Sequence, residues 1–364
     1  MGNICSKFNY GIGAEAIDFD GKNRYIRITD IDEESSHCIR KSEVSPSFTD
    51  ENCIVQENDI LFARTGASTG KTYLYNKQDG KLYFAGFLIR ANVKNEFSSY
   101  FIYQQTKTDR YKKWIQIMSA RSGQPGINAK EFQEYKVYYP NRQIQDKVAS
   151  FFILLDKRID TQSKIIEDLE SQIKWIRYKI FNYSNKIPNH KLAEYLIDYT
   201  EKNTNNFYSP VAVGKYGIRK REDIYSKELA TDYSKNKVIY KNTLIIGMGS
   251  TQIDIGILFD DEKFCVSPAY TTYKIKNINS IYLNELLIFL NPLLSKKYMI
   301  ISSRQGKSVN KEELLSHCLF VHPNEEQDQI ATIFKSFYKL INKEKDILEL
   351  YKKQKAYLLK NMFI

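Results

Sequence analysis

Two long stretches of the chain repeat apolar residues at the spacing of an amphipathic helix. Between Arg142 and Ile180 the steps mostly alternate between three and four residues, and Glu325 to Met362 follow the same pattern. Such heptads are typical of helices that pack along one seam. Neither stretch contains proline or glycine, and at about 1.5 Å per residue the first would be about 58 Å long. A pair of packed helices is predicted, with seam positions Val148, Phe151, Leu155, Ile159 and Leu169 in the first helix and Ile330, Phe334, Phe337 and Ile341 in the second.

A region rich in tyrosine, isoleucine and valine precedes each long helix. In the first region NRYIRITDID, DILFARTG, KTYLYN and YFAGFLIRANV are predicted strands, and SSYFIYQQTKTDRYKKWIQIMS has helical spacing. In the second region KVIYKNTLIIGMGS, DIGILFD and YTTYKIKNI are predicted strands, and YLNELLIFLNPLLSKKYMI is a helix expected to break near Pro292. We predict an α+β chain with β-rich mixed regions at 1–141 and 183–323 and long helices at 142–182 and 324–364.

The two halves of the chain resemble each other in several blocks. The string SARSGQPGIN (Ser119 to Asn128) matches SSRQGKSVN (Ser302 to Asn310), and YYPNRQIQDKVASFF matches VHPNEEQDQIATIF. Upstream, ENDILFARTG resembles KNTLIIGMGS. The blocks keep the same order and nearly the same offset, about half the chain, so an internal repeat of one structural unit is predicted.

The charge of the chain favours a polyanionic partner. Lysine and arginine outnumber aspartate and glutamate by 54 to 43, which gives a formal net charge of +11, and nucleic acid is the usual partner of such a surface. Five scattered cysteines without a CxxC pair favour a reducing compartment. The sequence has no apolar run of membrane-spanning length and no signal-peptide pattern, so we expect a cytoplasmic protein without a membrane partner.

Candidate DNA contacts lie in glycine-containing turns and basic clusters. Arginine reads guanine, glutamine reads adenine, and lysine and backbone amides bind phosphate. For each cluster the alternative is structural: a β-turn, a hinge whose recurrence in both halves favours a shared scaffold role, or a solvated loop. The candidates are Arg27; Arg64, Ser68 and Lys71 in GASTGKT; Arg121 and Gln124, with their counterparts Arg304 and Lys307; and Lys215, Arg219, Lys220 and Arg221 in GKYGIRKRED. Asn128 and Asn310 end the two matching loops. For each of them the two interpretations are a DNA contact and a structural hinge.

Catalytic alternatives have weaker support. The turn GASTGKT has three residues between its glycines, whereas a phosphate-binding P-loop needs four. Glu134 and Lys136 resemble part of a nuclease site but are expected to alternate along a surface strand. His317, Cys318 and His322 lack an evident fourth ligand for structural zinc. No catalytic residue and no metal site is predicted.

Together these features resemble the specificity subunit of type I restriction-modification systems. The resemblance is carried by NDILFARTGASTGKTYLYN, by SARSGQPGINAKEFQEYKVYYP, by the helix opening QDKVASFF…LDKRID and by the half-chain repeat. It implies two target-recognition domains (1–141 and 183–323), each reading half of a split double-stranded DNA site, and two antiparallel spacer helices that form a coiled coil. The second half departs from the pattern, because LIIGMGSTQIDIG lacks the arginine and lysine of ARTGASTGK.

The resemblance also implies partners. Two modification subunits would dock on the helices and the adjoining domains and perform adenine-N6 methylation with S-adenosylmethionine. The family also allows two restriction subunits, which would use ATP and Mg²⁺. No cofactor is expected in this chain, and it would catalyse nothing itself. The alternatives are a coiled-coil scaffold protein and a stand-alone nuclease or NTPase. The recognised DNA sequence does not follow from the residues, because it depends on a few loop side chains and on DNA shape.

Overall fold

The computed structural model describes residues 1–32, 37–39, 43–120, 125–182, 187–214, 217–221, 224, 232–302 and 306–363. The chain forms two compact units. Unit 1 contains Met1–Ser163 and Asp346–Ile364, and unit 2 contains Lys164–Lys345. Each unit therefore combines one β-rich region with a segment from each of two long helices. Among the described helices, none combines the length and apolar character needed to cross a membrane.

Unit 1 is built around a four-stranded antiparallel sheet with the order β1-β8-β5-β6. Both faces of this sheet are buried: Ile60 and Phe62 pack with the helices, while Leu61 and Ala63 pack on the other side. This explains why DILFA is continuously apolar after its first residue. The elements are β1 Cys5–Tyr10, β2 Ala16–Asp18, β3 Arg24–Ile26, β4 Val44–Pro46, β5 Asp59–Ala63, β6 Thr72–Leu74, β7 Leu82–Phe84, β8 Leu88–Val93, α1 Ser99–Gln105, α2 Asp109–Ser119, α3 Ala129–Glu134 and the start of α4 Arg142–Phe181.

Unit 2 has an antiparallel sheet of the same form, in the order β10-β17-β14-β15. Leu244 and Ile246 pack on the helix side, and Ile245 packs on the opposite side. The elements are β9 His190–Lys191, β10 Leu196–Asp198, β11 Val211–Gly214, β12 Gly217–Lys220, β13 Lys237–Ile239, β14 Thr243–Met248, β15 Ile253–Ile257, β16 Phe264–Val266, β17 Thr271–Ile275, α5 Ser280–Tyr298, β18 Met299–Ser302, β19 Gly306–Val309, α6 Lys311–Leu315, β20 Cys318–Leu319 and the start of α7 Asn324–Met362.

The predicted repeat is visible in matching polar contacts. Asn58 precedes β5 and Asn242 precedes β14, and both adopt the left-handed backbone conformation, with φ of 68° and 62°. In unit 1 the Ser99 hydroxyl donates to Asn58 Oδ1 at 2.8 Å, and in unit 2 the Ser280 hydroxyl donates to Asn242 Oδ1 at 2.8 Å. The same bond thus ties the turn before the central strand to the first residue of a helix in each unit.

A buried glutamine makes a second matching contact. Gln145 Oε1 accepts the backbone N–H of Ser98 at 3.0 Å, and Gln327 Oε1 accepts that of Asn279 at 3.0 Å. Both glutamines are almost fully buried near the start of a long helix. Because buried polar groups need partners, each glutamine fixes a long helix against the helix that begins beside it.

The long helices pack in opposite directions within each unit. In unit 1, Phe152 and Leu155 of α4 pack with Leu359 of α7, and Asp156 forms an ion pair with Lys355 at 2.6 Å. In unit 2, the rings of Phe181 and Phe334 stack 6.3 Å apart, and Ile173 and Ile341 belong to the same core. The predicted architecture of two β-rich repeats joined by antiparallel helices is confirmed.

One seam residue was predicted wrongly. Phe151 is 42% exposed, whereas its neighbour Phe152 is fully buried. The true stripe passes through Gln145 and Ala149, which are small or polar, so the apolar pattern favoured the wrong phenylalanine. The other predicted seam positions are buried or partly buried: Val148, Leu155, Ile159, Leu169, Ile330, Phe334, Phe337 and Ile341.

Three local predictions also differ from the structure. Helix α5 continues through Pro292, because buried leucines on both sides, including Leu287 and Leu294, hold it in the core and such packing outweighs local propensity. The single helix predicted over residues 98–119 is two helices, since Thr108 caps the N-terminus of α2. Glu134 ends α3 rather than lying in a strand.

Candidate nucleic-acid interface

In unit 1 the turn after β5 lies against the loop that precedes α3. Ile127 N–H donates to the Arg64 carbonyl at 2.9 Å, and Gly66 N–H donates to the Pro125 carbonyl at 3.0 Å. The two strings that carried the sequence prediction in this half, ARTGASTG and QPGIN, are therefore in direct contact. Arg121 and Gln124, just before Pro125, lie outside the described residues.

The turn itself is a short 3-10 helix, Gly66–Ser68, that leads into β6. Gly66 and Gly70 have φ of 74° and 87°, values that favour glycine. Ser68 and Lys71 belong to the same turn, where Lys71 N–H donates to the Ser68 carbonyl at 3.0 Å. A P-loop runs into a helix whose N-terminus binds phosphate. Because a strand follows here, this turn is not a P-loop.

Arg64 lies beside two aromatic residues that sequence analysis did not select. Its guanidinium lies over the ring of Tyr10, with Cζ 4.8 Å from the centroid, and its backbone N–H donates to the Phe87 carbonyl at 3.1 Å. Arg64 Nε is buried and has no hydrogen-bond partner among the described residues. Phe87 is 60% exposed. No sequence signal marks these aromatics, because their proximity depends on how β1, β5 and β8 pair.

Arg27 is engaged differently from Arg64. Asp30 accepts hydrogen bonds from Arg27 Nε and from its terminal nitrogen, both at 2.8 Å. These bonds to Asp30 raise the pKa of Arg27. The guanidinium is thus neutralised by a carboxylate and holds the turn after β3, which favours the structural interpretation of this residue.

In unit 2 the corresponding turn follows β14 and meets the β18–β19 hairpin. Lys307, on β19, donates from Nζ to the Ser250 carbonyl at 2.6 Å. This contact is the counterpart of the one between Gly66 and Pro125, since both join the turn after the central strand to the second repeated string. Arg304 lies outside the described residues.

The basic cluster, for which a solvated loop was the structural alternative, includes a strand of a β-hairpin. Arg219 and Lys220 lie on β12, which pairs with β11 and packs against Gly256 of β15 through Ile218. Lys220 Nζ lies 3.6 Å from a Glu262 carboxylate oxygen, and the Arg219 side chain is exposed. Arg221 follows β12 directly, and Lys215 lies outside the described residues.

Asn128 and Asn310 begin helices. Asn128 Oδ1 accepts the Glu131 N–H at 3.0 Å, and the Glu131 carboxylate accepts the Asn128 N–H at 2.7 Å. This reciprocal pair is a capping box. Asn310 Oδ1 accepts the Glu313 N–H at 3.3 Å. Helix capping accounts for the recurrence of asparagine in both halves, and the pattern N-x-x-E was a readable signal for it.

The two histidines considered as metal ligands are hydrogen-bonded to tyrosine hydroxyls. His317 Nδ1 lies 2.8 Å from the Tyr298 hydroxyl, and His322 Nδ1 lies 2.8 Å from the Tyr282 hydroxyl. Burial lowers the pKa of both histidines. Within the described part of the chain no group of histidine, cysteine and carboxylate side chains is arranged to hold a metal ion.

Comparisons with known proteins agree with this arrangement. No curated protein matches the sequence. The structure is similar to the S subunit of a type I restriction-modification system from M. genitalium, with 15% identity, a TM-score of 0.60 and coverage of 98% of this chain and 93% of that one. A second solved structure, from work on complex assembly and conformational transition of the type I R-M system, has 14% identity, a TM-score of 0.56 and coverage of 98% and 95%. These likenesses show the fold.

The family comparison covers both halves of the chain. The family model of the type I restriction modification DNA specificity domain matches twice, at residues 4–171 and 180–350. The two matches span most of the sequence and each contains one of the two turns described above. The chain therefore belongs to the family of type I restriction-modification DNA specificity domains and carries two copies of that domain.

Proposed function

We propose that this chain reads a split DNA site, each unit contacting one half of it. The observation that carries the proposal is that one scaffold is present twice with different side chains at the same place. The strand–turn element presents Arg64 in unit 1 and Met248 in unit 2. Base edges in the major groove are distinguished by the side chains that meet them. A protein with two such unlike surfaces would recognise two different half-sites.

The net charge of +11 supports DNA rather than another partner. Phosphate contacts by lysine and arginine supply the sequence-independent part of the affinity, and base contacts supply the specificity. Methyl transfer to adenine N6 would belong to modification subunits that bind S-adenosylmethionine. ATP and Mg²⁺ would belong to restriction subunits, so this chain would act as a reader in the bacterial cytoplasm without catalysis of its own.

The long helices offer a surface for the modification subunits. In unit 1, Phe151 and Leu154 of α4 and Leu350 and Tyr357 of α7 are exposed apolar side chains. Interfaces between stable subunits are enriched in such residues. We expect Leu154→Asp to reduce co-purification with the modification subunit, while Lys164→Asp, at an exposed polar position of α4, leaves it unchanged.

The test of the proposed function is a methylome. Cells that express this chain with its modification subunit are compared with cells that express the modification subunit alone. A split motif with N6-methyladenine that disappears without this chain supports the reader role and identifies the sequence. If the modification subunit is folded and no motif depends on this chain, the proposal is wrong, and a scaffold role gains support.

A further inference from the structure

Phe87 is an exposed aromatic residue on a turn flanked by buried residues. It lies between β7 and β8, and its neighbours Ala85 and Leu88 are buried while Phe87 itself is 60% exposed. A single exposed phenylalanine needs no explanation in itself. This one differs because its turn is fixed on both sides and because it adjoins the candidate interface.

Backbone contacts hold the Phe87 turn in place. Gly86 N–H donates to the Ile12 carbonyl at 2.8 Å, and Leu88 N–H donates to the Ala85 carbonyl at 2.8 Å. A Cβ on Gly11 would lie 2.2 Å from the Phe84 carbonyl oxygen, so the two chain segments touch through their backbones. The aromatic ring is therefore presented to solvent by a preorganised turn, which lowers the entropy lost on binding.

The pairing of the sheet brings Phe87 to the same edge as Arg64. Both β1 and β5 run antiparallel to β8, so the ends of β1 and β5 meet the start of β8. Tyr10 ends β1, Arg64 follows β5 and Phe87 precedes β8. The result is an exposed phenylalanine whose backbone carbonyl accepts the Arg64 N–H, at the same end of the sheet as a guanidinium that lies over the Tyr10 ring.

Unit 2 lacks this feature on the same scaffold. By strand register, Met248 and Ala269 occupy the places of Arg64 and Phe87. The nearest aromatic, Tyr270, folds back over Gly247, where a Cβ would lie 2.1 Å from its ring. The fold therefore does not require an exposed aromatic residue here, and Phe87 is a property of unit 1.

We infer that Phe87 is an apolar wedge that contacts a base step in the DNA half-site read by unit 1, with Arg64 binding the DNA beside it. Apolar side chains next to arginine are the combination by which proteins partly unstack base steps. A protein partner would favour a contiguous apolar patch, whereas Phe87 is a single exposed ring on a residue whose backbone is hydrogen-bonded to that of Arg64. The inference rests on the proposed function and adds a residue to it.

The experiment uses the assembled complex with modification subunits and DNA that contains its methylated motif. Phe87→Ala is expected to weaken specific binding roughly tenfold or more, the order of one lost base–aromatic contact, and Phe87→Trp is expected to retain binding. The control is Phe48→Ala in the same unit, because Phe48 is similarly exposed at 57%. It should bind as the wild type does.

The outcomes separate this inference from the proposed function. If the wild-type complex shows no sequence preference, the proposed function is wrong. If the wild type discriminates and Phe87→Ala binds equally well, only the wedge is wrong. The wedge is also overturned if Phe87→Ala loses modification subunits while each assembled complex keeps its DNA affinity. Phe87→Leu repeats the comparison with a branched side chain should the alanine variant unfold.

Discussion

At the scale of single residues, a buried carboxylate joins three helices in unit 2. Glu285 is fully buried and accepts bonds from Arg177, at 2.9 and 2.7 Å, and from the Tyr338 hydroxyl at 2.9 Å. Removing one partner of a buried ion pair leaves the other charge uncompensated, at a cost of about 3 kcal/mol or more. We predict that Glu285→Ala lowers the free energy of unfolding by this amount, measured by urea denaturation.

An exposed ion pair between α4 and α7 serves as the control. Lys345 Nζ lies 2.8 Å from a Glu170 carboxylate oxygen, and both side chains are largely exposed. Exposed pairs contribute less than about 1 kcal/mol, so Glu170→Ala should change stability little. Equal effects of Glu170→Ala and Glu285→Ala would contradict the assignment of Glu285 as the stabilising residue.

Lys107 makes the stability of unit 1 dependent on pH. Burial, and then the nearby Lys355, lower the pKa of Lys107 to about 7, whereas an unfolded lysine has a pKa of about 10.4. Between these values the unfolded chain binds one more proton than the folded chain. The free energy of unfolding therefore gains up to about 1.4 kcal/mol for each pH unit as pH rises from about 7 to 10.

We expect Lys107→Met to remove this slope, because methionine does not titrate. Lys107 Nζ donates to the Thr72 hydroxyl at 2.7 Å, and Thr72 would keep a partner in the variant, since its hydroxyl also bonds that of Thr106 at 2.8 Å. Denaturation curves between pH 7 and 10 measure the slope, and Lys113→Met, at an exposed position of α2, is the control. An unchanged slope in Lys107→Met would show that Lys107 is not the titrating group.

At the scale of elements, two adjacent phenylalanines of α4 should behave differently. Phe152 is fully buried against Leu155 and Leu359, and Phe151 is exposed. Removing a buried phenylalanine costs about 3–5 kcal/mol. We predict that Phe152→Ala strongly lowers the melting temperature, while Phe151→Ala has little effect on the isolated chain and weakens binding of the modification subunit. If Phe151→Ala lowers the melting temperature more than Phe152→Ala does, Phe151 is the residue that packs in the helix seam.

The long helices and α5 show why a sequence pattern predicts that a helix exists better than it predicts the buried face or the ends of that helix. The long helices were predictable because their apolar stripe extends over ten turns. The register of the stripe was not predictable, because the stripe includes the polar residue Gln145, whose burial depends on hydrogen bonds to the backbone of Ser98 and of Pro140. The break expected at Pro292 failed for a similar reason, since the core that holds α5 together is assembled from other elements.

At the scale of the whole molecule, the repeat made the architecture predictable, but it did not indicate every residue near the candidate interface. Matching strings identified two copies of one unit, and the structure brings those strings together in each copy. Tyr10 and Phe87, which contact Arg64, could not be selected from the sequence, because nothing local distinguishes an exposed aromatic residue from a core one. The two matching asparagine–serine hydrogen bonds at the turns before β5 and β14 could not be predicted either, since each links residues about forty positions apart.

The two units should contribute to specificity independently. Arg64 lies over Tyr10 in the candidate interface of unit 1, and Lys307 bonds the Ser250 carbonyl in the corresponding turn of unit 2. A lost base contact costs about 1–3 kcal/mol of discrimination. We predict that Arg64→Ala relaxes the base preference in one half of the methylated motif and that Lys307→Ala relaxes it in the other half. Methylome sequencing of cells that carry each variant measures both preferences.

The variant that combines Arg64→Ala with Lys307→Ala tests the independence of the two units. Effects of substitutions that share no partner add in free energy, so the double variant should relax both halves, each by the factor seen in the single variant. Binding to competing half-site mutants of the motif gives these factors separately. If both substitutions relax the same half, the two units do not read separate half-sites. If each substitution instead lowers affinity for all sequences uniformly, the turns bind the DNA backbone and the bases are read elsewhere in the chain.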